Sequence, residues 1–402
     1  MKNYIKPIHP FPARMAPEVV WDELPDCSSG QLRVLDPMAG SGTTLVAAKL
    51  KGHRVIGYDR DPLAVLIASS WMADINSADF KQEAENALRK AKLLAEDIQI
   101  SEAYPINADD ETKTFIRFWF DAVNRVQLTA LSISISSISD ITMRNMVWCA
   151  FSRLIITKKI GVSLAIDISH SRPHRRYKKA PVNAFDRFER AINQIISASP
   201  FLKNFANYST GLMDFGDARK LPLEENSIDM VITSPPYLNA IDYMRGHKLS
   251  LVWMGHSLKE LRKIRSTNMG AETIINAEKS DNATERIMQK MCVTSNLSDR
   301  NKGILRRYVR DMRAVVSETK RVLCHGGKAV FVIGNCNLRG TFIENSKCIE
   351  GLASELGMEI GKINKRPLPE NRRYLPPPES IAAGEALKKR MREEVIISLL
   401  KS

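Results

Sequence analysis

The chain has 402 residues, 44% hydrophobic and 26% charged, which is enough for a real core and too long for one minimal domain. Its formal net charge of +14 points to a polyanionic partner, nucleic acid first. The six cysteines (Cys27, Cys149, Cys292, Cys324, Cys336, Cys348) form no CxxC pair, no signal-peptide core opens the chain, and no run of about eighteen apolar residues occurs. Zinc, secreted disulfides and a membrane span are therefore not expected, and a cytoplasmic location is.

The opening His9-Pro10-Phe11-Pro12-Ala13-Arg14-Met15-Ala16-Pro17 has its prolines too close together for a helix and predicts an extended, ordered arm. A helix over 18–24 follows. A strand over 32–36, a glycine-rich turn over 38–42, a helix over 43–50 and a strand over 54–58 ending in Asp59 make a βαβ unit. Such a unit implies a parallel sheet covered by helices.

Residues 71–207 read differently, with helices predicted over 79–97, 115–131, 143–157 and 183–199. Within them 131–136 alternates with period two, the pattern of a short strand, and 170–179 is basic and turn-prone. The α/β character returns with a strand end at 214–217 and a strand over 228–233 that runs into Ser234-Pro235-Pro236-Tyr237. A helix over 304–323, a strand over 328–334, a helix over 348–356 and strands over 358–363 and 394–400 complete the chain. The expected division is a catalytic domain from 1–70 and 208–402, with 71–207 a mostly helical insertion and candidate target-recognition region. The stretch 238–320 competes with it for that role.

Asp36-Pro37-Met38-Ala39-Gly40-Ser41-Gly42-Thr43-Thr44 lies between a strand and a helix, where glycines let the backbone approach a ligand and the helix N-terminus offers free N–H groups to an anion. A P-loop needs a lysine where Thr43 stands, and a dinucleotide fingerprint needs a third glycine where Leu45 stands. A ligand with a carboxylate and no phosphate, S-adenosylmethionine, fits better. Asp59 at the next strand end is placed to accept both ribose hydroxyls, with Arg60 beside it, whereas Asp61-Pro62 reads as a helix cap. Asp217, followed by Ala218, is placed to accept the adenine amine.

Two prolines stiffen the turn Ser234-Pro235-Pro236-Tyr237 after a buried strand. The fixed carbonyl before Pro236 and the Ser234 hydroxyl can accept both hydrogens of a flipped base's amine, and Tyr237 offers a face for stacking. Methyl transfer then needs positioning and electrostatics without a covalent enzyme intermediate.

Taken together, these motifs resemble the amino-methyltransferase family of DNA methyltransferases. Asp36 to Thr43 matches the family's DPFxGSGT cofactor motif with Met38 in place of Phe, and Thr233 to Tyr237 matches its TSPPY motif. The segment from His9 to Met15, with Phe11 and Pro12, is similar to the arm that closes over the cofactor's methionine end. The resemblance covers roughly 1–70 and 208–400 and implies an α/β, Rossmann-like S-adenosylmethionine-dependent methyltransferase fold, seven-stranded with one strand reversed. It implies site-specific methylation of double-stranded DNA beside a cognate restriction endonuclease, with cytosine N4 favoured because SPPY is the commoner form among cytosine-N4 enzymes. The order arm, cofactor turn, catalytic turn departs from the permuted order common among those enzymes. No Pro-Cys dipeptide is present to serve C5 chemistry. Adenine-N6 methylation, an RNA amino-methyltransferase and a catalytically idle nucleic-acid binder are the alternatives.

For the nucleic acid, Arg172, Arg175, Arg176, Lys178 and Lys179 form a run without an acid that suits phosphate contact. Arg245, His247 and Lys248, just past the catalytic turn, are expected at the target strand. Lys259, Arg262, Lys263 and Arg265 share a helical face and read equally well as solvated charge.

Overall fold

Apolar runs bounded by turns become the strands of one large sheet, as their near-continuous hydrophobicity demands of strands covered on both faces. The computed structural model describes residues 5–12, 14–158, 160–202, 210–238, 242–269, 281–338, 341–368 and 393–402. Ala13 of the arm lies outside them. After α1 (Pro17–Glu23), the first unit is β1 (Arg33–Asp36), α2 (Thr43–Leu50) and β2 (Arg54–Asp59), followed by α3 (Pro62–Met72). The insertion supplies α4 (Ser77–Asp97), α5 (Asp110–Trp119), α6 (Ala122–Ser136) and α7 (Ile141–Ile155). A hairpin of β3 (Ala165–Ile166) and β4 (His174–Arg175) and then α8 (Ala184–Ala198) complete it. The sheet resumes with β5 (Gly211–Phe215) and β6 (Ile228–Thr233). Then come α9 (Met244–Leu251), α10 (Leu258–Thr267), α11 (Asn282–Met291), α12 (Asp299–Val322) and β7 (Leu323–Gly334). The chain closes with the hairpin β8 (Cys336–Leu338) and β9 (Thr341–Ile343), then α13 (Asn345–Glu355), β10 (Glu359–Pro367) and β11 (Glu393–Leu400).

The strand order is β10-β11-β7-β6-β1-β2-β5. Neighbours from β7 to β5 are parallel, and β11 runs antiparallel to both β7 and β10. This is the Rossmann-like methyltransferase fold, with its single reversed strand. Alternate residues of the strands point into two cores. Val34, Met230, Ile232, Val330 and Val332 join α1 to α8 on one face. Leu35, Val231, Phe331, Ile333 and Val395 join α11 to α13 on the other. The helices of the insertion thus bury their apolar faces in the same core as α1, α2 and α3.

The segment 131–136 is helix, not strand. Leu131, Ser132, Ser134 and Ile135 are all buried, so no solvent-facing stripe reveals a 3.6-residue period. The serines fit this interior because each hydroxyl bonds a neighbouring backbone: Ser132 Oγ donates to Trp253 O (2.7 Å) and Ser134 Oγ to Ala87 O (2.8 Å). The helix expected over 115–131 is likewise two helices. Asp121 caps the second, its carboxylate accepting from Asn124 N at 2.9 Å.

Candidate functional site

In an open α/β sheet the ligand crevice lies where the strand order reverses. Here that point falls between β1 and β6: the chain winds outward from β1 through β2 to β5, then returns to the other side of β1 as β6. The turns after β1 and β6 therefore stand side by side. Asp36 ends one strand and Thr233 the other, and Thr233 Oγ1 donates to Asp36 Oδ1 at 2.7 Å. Met38 N donates to the same oxygen at 3.2 Å. Burial pushes the Asp36 carboxyl up to about 6, and the hydroxyls of Thr44 and Thr233 pull it partway back.

The turn from Asp36 is shaped by glycine. Gly42 has φ +88°, and a Cβ there would sit 2.8 Å from the Cβ of Ala68. It precedes α2 without any side chain capping the helix, so the first-turn N–H groups face the crevice. The buried Ser41 hydroxyl has no protein partner. The Phe11 ring lies over Gly40, 3.5 Å from where a side chain would begin, and also meets Tyr243 (5.5 Å, ring centroids) and His247 (5.1 Å). The arm is thus laid across the turn, with Pro12 buried beside Phe11.

The three aspartates weighed from the sequence now separate. Asp59 accepts one backbone N–H on each oxygen, from Gly40 (2.8 Å) and from Asp61 (2.9 Å). A carboxylate has about four lone-pair sites, so two remain for a diol. Burial, then the Asp61 charge, pushes this carboxyl up to about 6. Asp61 is the α3 cap, accepting from Leu63 N at 2.9 Å, and its other oxygen bonds His247 Nδ1. Asp217 is filled. Its oxygens accept from Arg219 N (3.0 Å), Arg219 Nε (3.0 Å), Arg219 Nη2 (2.8 Å) and Arg60 Nη1 (2.7 Å). Burial opposes its ionisation, but the Arg219 bonds outweigh it and hold the carboxyl below the usual range. The expected adenine contact is therefore corrected: Asp217 has no acceptor left, and Arg60 is spent on Asp217 and on the Thr267 hydroxyl at 2.7 Å. The neighbouring Ala218 is buried in the second core.

Past Thr233, Pro235 is buried, while Ser234, Pro236 and Tyr237 are partly exposed. The Tyr237 hydroxyl reaches Glu394 at the start of β11 (3.4 Å), a residue that sequence reasoning missed. Its only signal was a charged opening to the apolar run Glu393–Leu400.

Of the residues expected at nucleic acid, Arg172, Arg175, Arg176, Lys178 and Lys179 are exposed. Ser171 Oγ donates to Tyr243 O at 2.9 Å and fastens this segment to the start of α9, beyond the Ser234-Pro235-Pro236-Tyr237 turn. Arg175 lies over the exposed Phe118 ring at 5.3 Å. Arg245 is exposed and pairs with Asp242 at 3.2 Å, an acid that Arg265 also holds at 2.6 Å. Lys248 is half-buried over Phe115 at 5.2 Å. His247 is corrected: at 1% exposure it stands between Phe11 and Asp61 and presents nothing to a surface ligand.

No family model matches the chain. Three curated proteins are similar over most of its length. The type II methyltransferase M.AvaI of Nostoc is 25% identical over 377 residues, spanning 82% of this chain and 74% of that protein. M.BsoBI of Geobacillus stearothermophilus is 22% identical over 387 residues, with the same two shares. M.MvaI of Kocuria varians is 23% identical over 361 residues, spanning 81% of this chain and 76% of that protein. The chain is a homologue of the type II methyltransferases. A solved S-adenosylmethionine-dependent methyltransferase from Methanosarcina mazei spans 97% of the chain at 8% identity with a TM-score of 0.34.

S-adenosylmethionine is the cofactor of this homologue, and the residues fit it. The uncapped α2 terminus and the unpartnered Ser41 hydroxyl suit a carboxylate, and the two open sites on Asp59 suit a ribose.

Proposed function

We propose that the chain is a site-specific DNA methyltransferase that places a methyl group on the exocyclic amine of a flipped base, cytosine N4 in preference to adenine N6. The observation that carries this reading is the 2.7 Å bond between Thr233 and Asp36. It fixes the Ser234-Pro235-Pro236-Tyr237 turn beside the cofactor turn. The bound cofactor supplies an electrophilic methyl group on a sulfonium. The protein's own part is to hold the acceptor. The Ser234 hydroxyl and the rigid carbonyl of Pro235 accept the two amine hydrogens, which turns the nitrogen lone pair away from the ring. Tyr237 supports the base by its face. Phe11, Pro12 and the residues from Asp36 to Thr44 enclose the methionine end, and Asp59 holds the ribose.

The formal charge of +14 and the exposed basic residues from Arg172 to Lys179, held at the start of α9, support a duplex lying across this rim. In this reading the insertion 71–207 carries target recognition, and the enzyme works in the cytoplasm beside a restriction endonuclease of the same specificity. The type II names of its relatives support that partnership.

The test is incubation with labelled S-adenosylmethionine and mixed-sequence duplex, followed by mass spectrometry of the nucleosides. N4-methylcytosine is expected, and N6-methyladenine would correct the base alone. Label absent from DNA while the cofactor binds would defeat the reading. Ser234→Ala is expected to bind cofactor normally and turn over slowly, and undiminished turnover would remove the amine contact.

A further inference from the structure

Helix α5 leaves part of its apolar surface uncovered. Ile116 is fully buried, but Phe118 is 48% exposed. The Phe118 ring meets Trp119 edge-on at 4.9 Å, and Trp119 lies 6.2 Å from Phe115. Phe115 and Trp119 are themselves only partly buried, so the three rings form one aromatic patch.

An exposed ring on a helix needs no explanation by itself. Here cations from two other elements close on the patch. Arg175 of β4 lies over Phe118 at 5.3 Å, and Lys248 of α9 lies over Phe115 at 5.2 Å. Backbone bonds join the elements. Leu164 N, just before β3, donates to Trp119 O at 2.8 Å, and Arg176 N donates to Leu164 O at 2.8 Å. Helix α9 presses on the same segment: a Cβ on Gly246 would stand 2.6 Å from Ile168 O. The end of α5, the basic hairpin and α9 are thus fastened into one surface. The acids beside α5 stand at its other end, where Asp109 caps the helix (2.8 Å from Thr112 N) and Glu111 is held by Arg262 at 2.7 Å.

Such a surface suits a polyanion, but its two kinds of side chain meet different parts of one. An arginine lying over a ring keeps its N–H groups for a phosphate. A phosphate offers Phe118 nothing. An apolar ring gains free energy only from base faces and from apolar edge groups such as the thymine methyl.

We propose that Phe118 is a specificity-determining residue that contacts the bases of the target duplex, while Arg175 beside it holds the backbone. The inference rests on the reading of the chain as a DNA methyltransferase given above, and it names α5 as the element of the insertion that reads sequence.

The test separates these two roles. A duplex library with randomised positions is methylated by the wild-type protein, and the methylated molecules are sequenced to define the site. Then kcat/KM is measured on that site and on each of its single-base-pair variants, with the salt dependence of duplex affinity alongside. Phe118→Ala is expected to lose discrimination about tenfold or more at one or two adjacent positions. The other positions and the salt slope should be unchanged, because the ring neutralises no phosphate. Arg175→Ala is expected to weaken all duplexes alike and to lower the slope by about one. Phe118→Leu keeps an apolar side chain against Trp119 and should alter the same positions, which preserves the test if the alanine variant folds poorly. A wild-type discrimination profile in the Phe118 variants would overturn the inference and leave the methyltransferase reading standing. So would uniform weakening across all duplexes, since that marks a ring that only supports Arg175. If the wild type labels no DNA, both fall.

Discussion

Thr233 closes β6 and Asp36 closes β1, and the 2.7 Å bond between them joins the turns that follow these two adjacent strands. It is buried at both ends, with Asp36 at 2% exposure and Thr233 at 0%. Thr233→Val keeps the shape and deletes the donor. The expected cost is about 1–3 kcal/mol, because a buried carboxyl loses a partner. Denaturant unfolding checks it, and an unchanged midpoint would show that the bond contributes nothing.

Cofactor affinity should depend on pH through Asp59. Its carboxyl stands at about 6 in the free protein. Ribose hydroxyls donate to the ionised form, so binding lowers the pKa and releases a proton. Affinity is complete above pH 6 and weakens by up to about tenfold per pH unit below it. Stability of the free protein moves the other way. Asp36 and Asp59 hold their protons more tightly folded than unfolded, so their contribution is present at low pH and is lost as pH rises through about 6. Calorimetric titration across this range, with Asp59→Asn expected to flatten the slope, separates the two effects.

Phe11→Ala should loosen the arm over the cofactor turn. The ring is 7% exposed and bridges Gly40, Tyr243 and His247. We expect cofactor affinity to fall about tenfold, with some loss of stability from the cavity left behind. Faster release of bound cofactor in stopped-flow would confirm that the arm acts as a cover, and an unaltered off-rate would refute it.

Arg172, Arg175 and Arg176 are exposed on the segment fastened to α9. Each alanine substitution should weaken binding to all duplex sequences alike. Each should also reduce the slope of log affinity against log salt by about one. Fluorescence anisotropy over a salt series reads both, and an unchanged slope would move the backbone contact elsewhere.

His247→Ala should behave as a core mutation. Its ring is buried against Phe11 and bonds Asp61, the cap of α3. Melting temperature is expected to fall by several degrees while the salt slope of duplex binding stays constant. The reverse pattern would return His247 to the target strand.

Much of this site was legible because its motifs are local. Asp36 to Thr44 and Thr233 to Tyr237 each sit on one turn, so spacing and chemistry could single them out as candidates, and the structure brings the two turns together. Asp59 and Asp61 were separable because Asp61-Pro62 carries the sequence of a helix cap, and the structure shows that cap. Asp217 was misread because its partners Arg60 and Arg219 lie 157 and 2 residues away, and only the fold shows that together they fill it. Glu394 was invisible for a related reason: an acid 157 residues from Tyr237 has no spacing to read. In 131–136 the burial of Leu131, Ser132, Ser134 and Ile135 alike, serine as well as aliphatic, hid the helical period on which pattern reading depends.

The arm is not anchored to the sheet alone. His9 Nε2 bonds Ser152 Oγ at 3.0 Å and Arg153 donates to Ile8 O, both from α7 of the insertion. Lys49 of α2 lies over Phe201 at 4.5 Å. Under the proposed reading, in which the insertion carries target recognition and the arm covers the cofactor, specificity is not a cassette. An insertion exchanged for that of a relative would take the fastening of the arm with it. New target sequences would then be reached by changing side chains on the insertion's outer surface rather than by transplanting it whole.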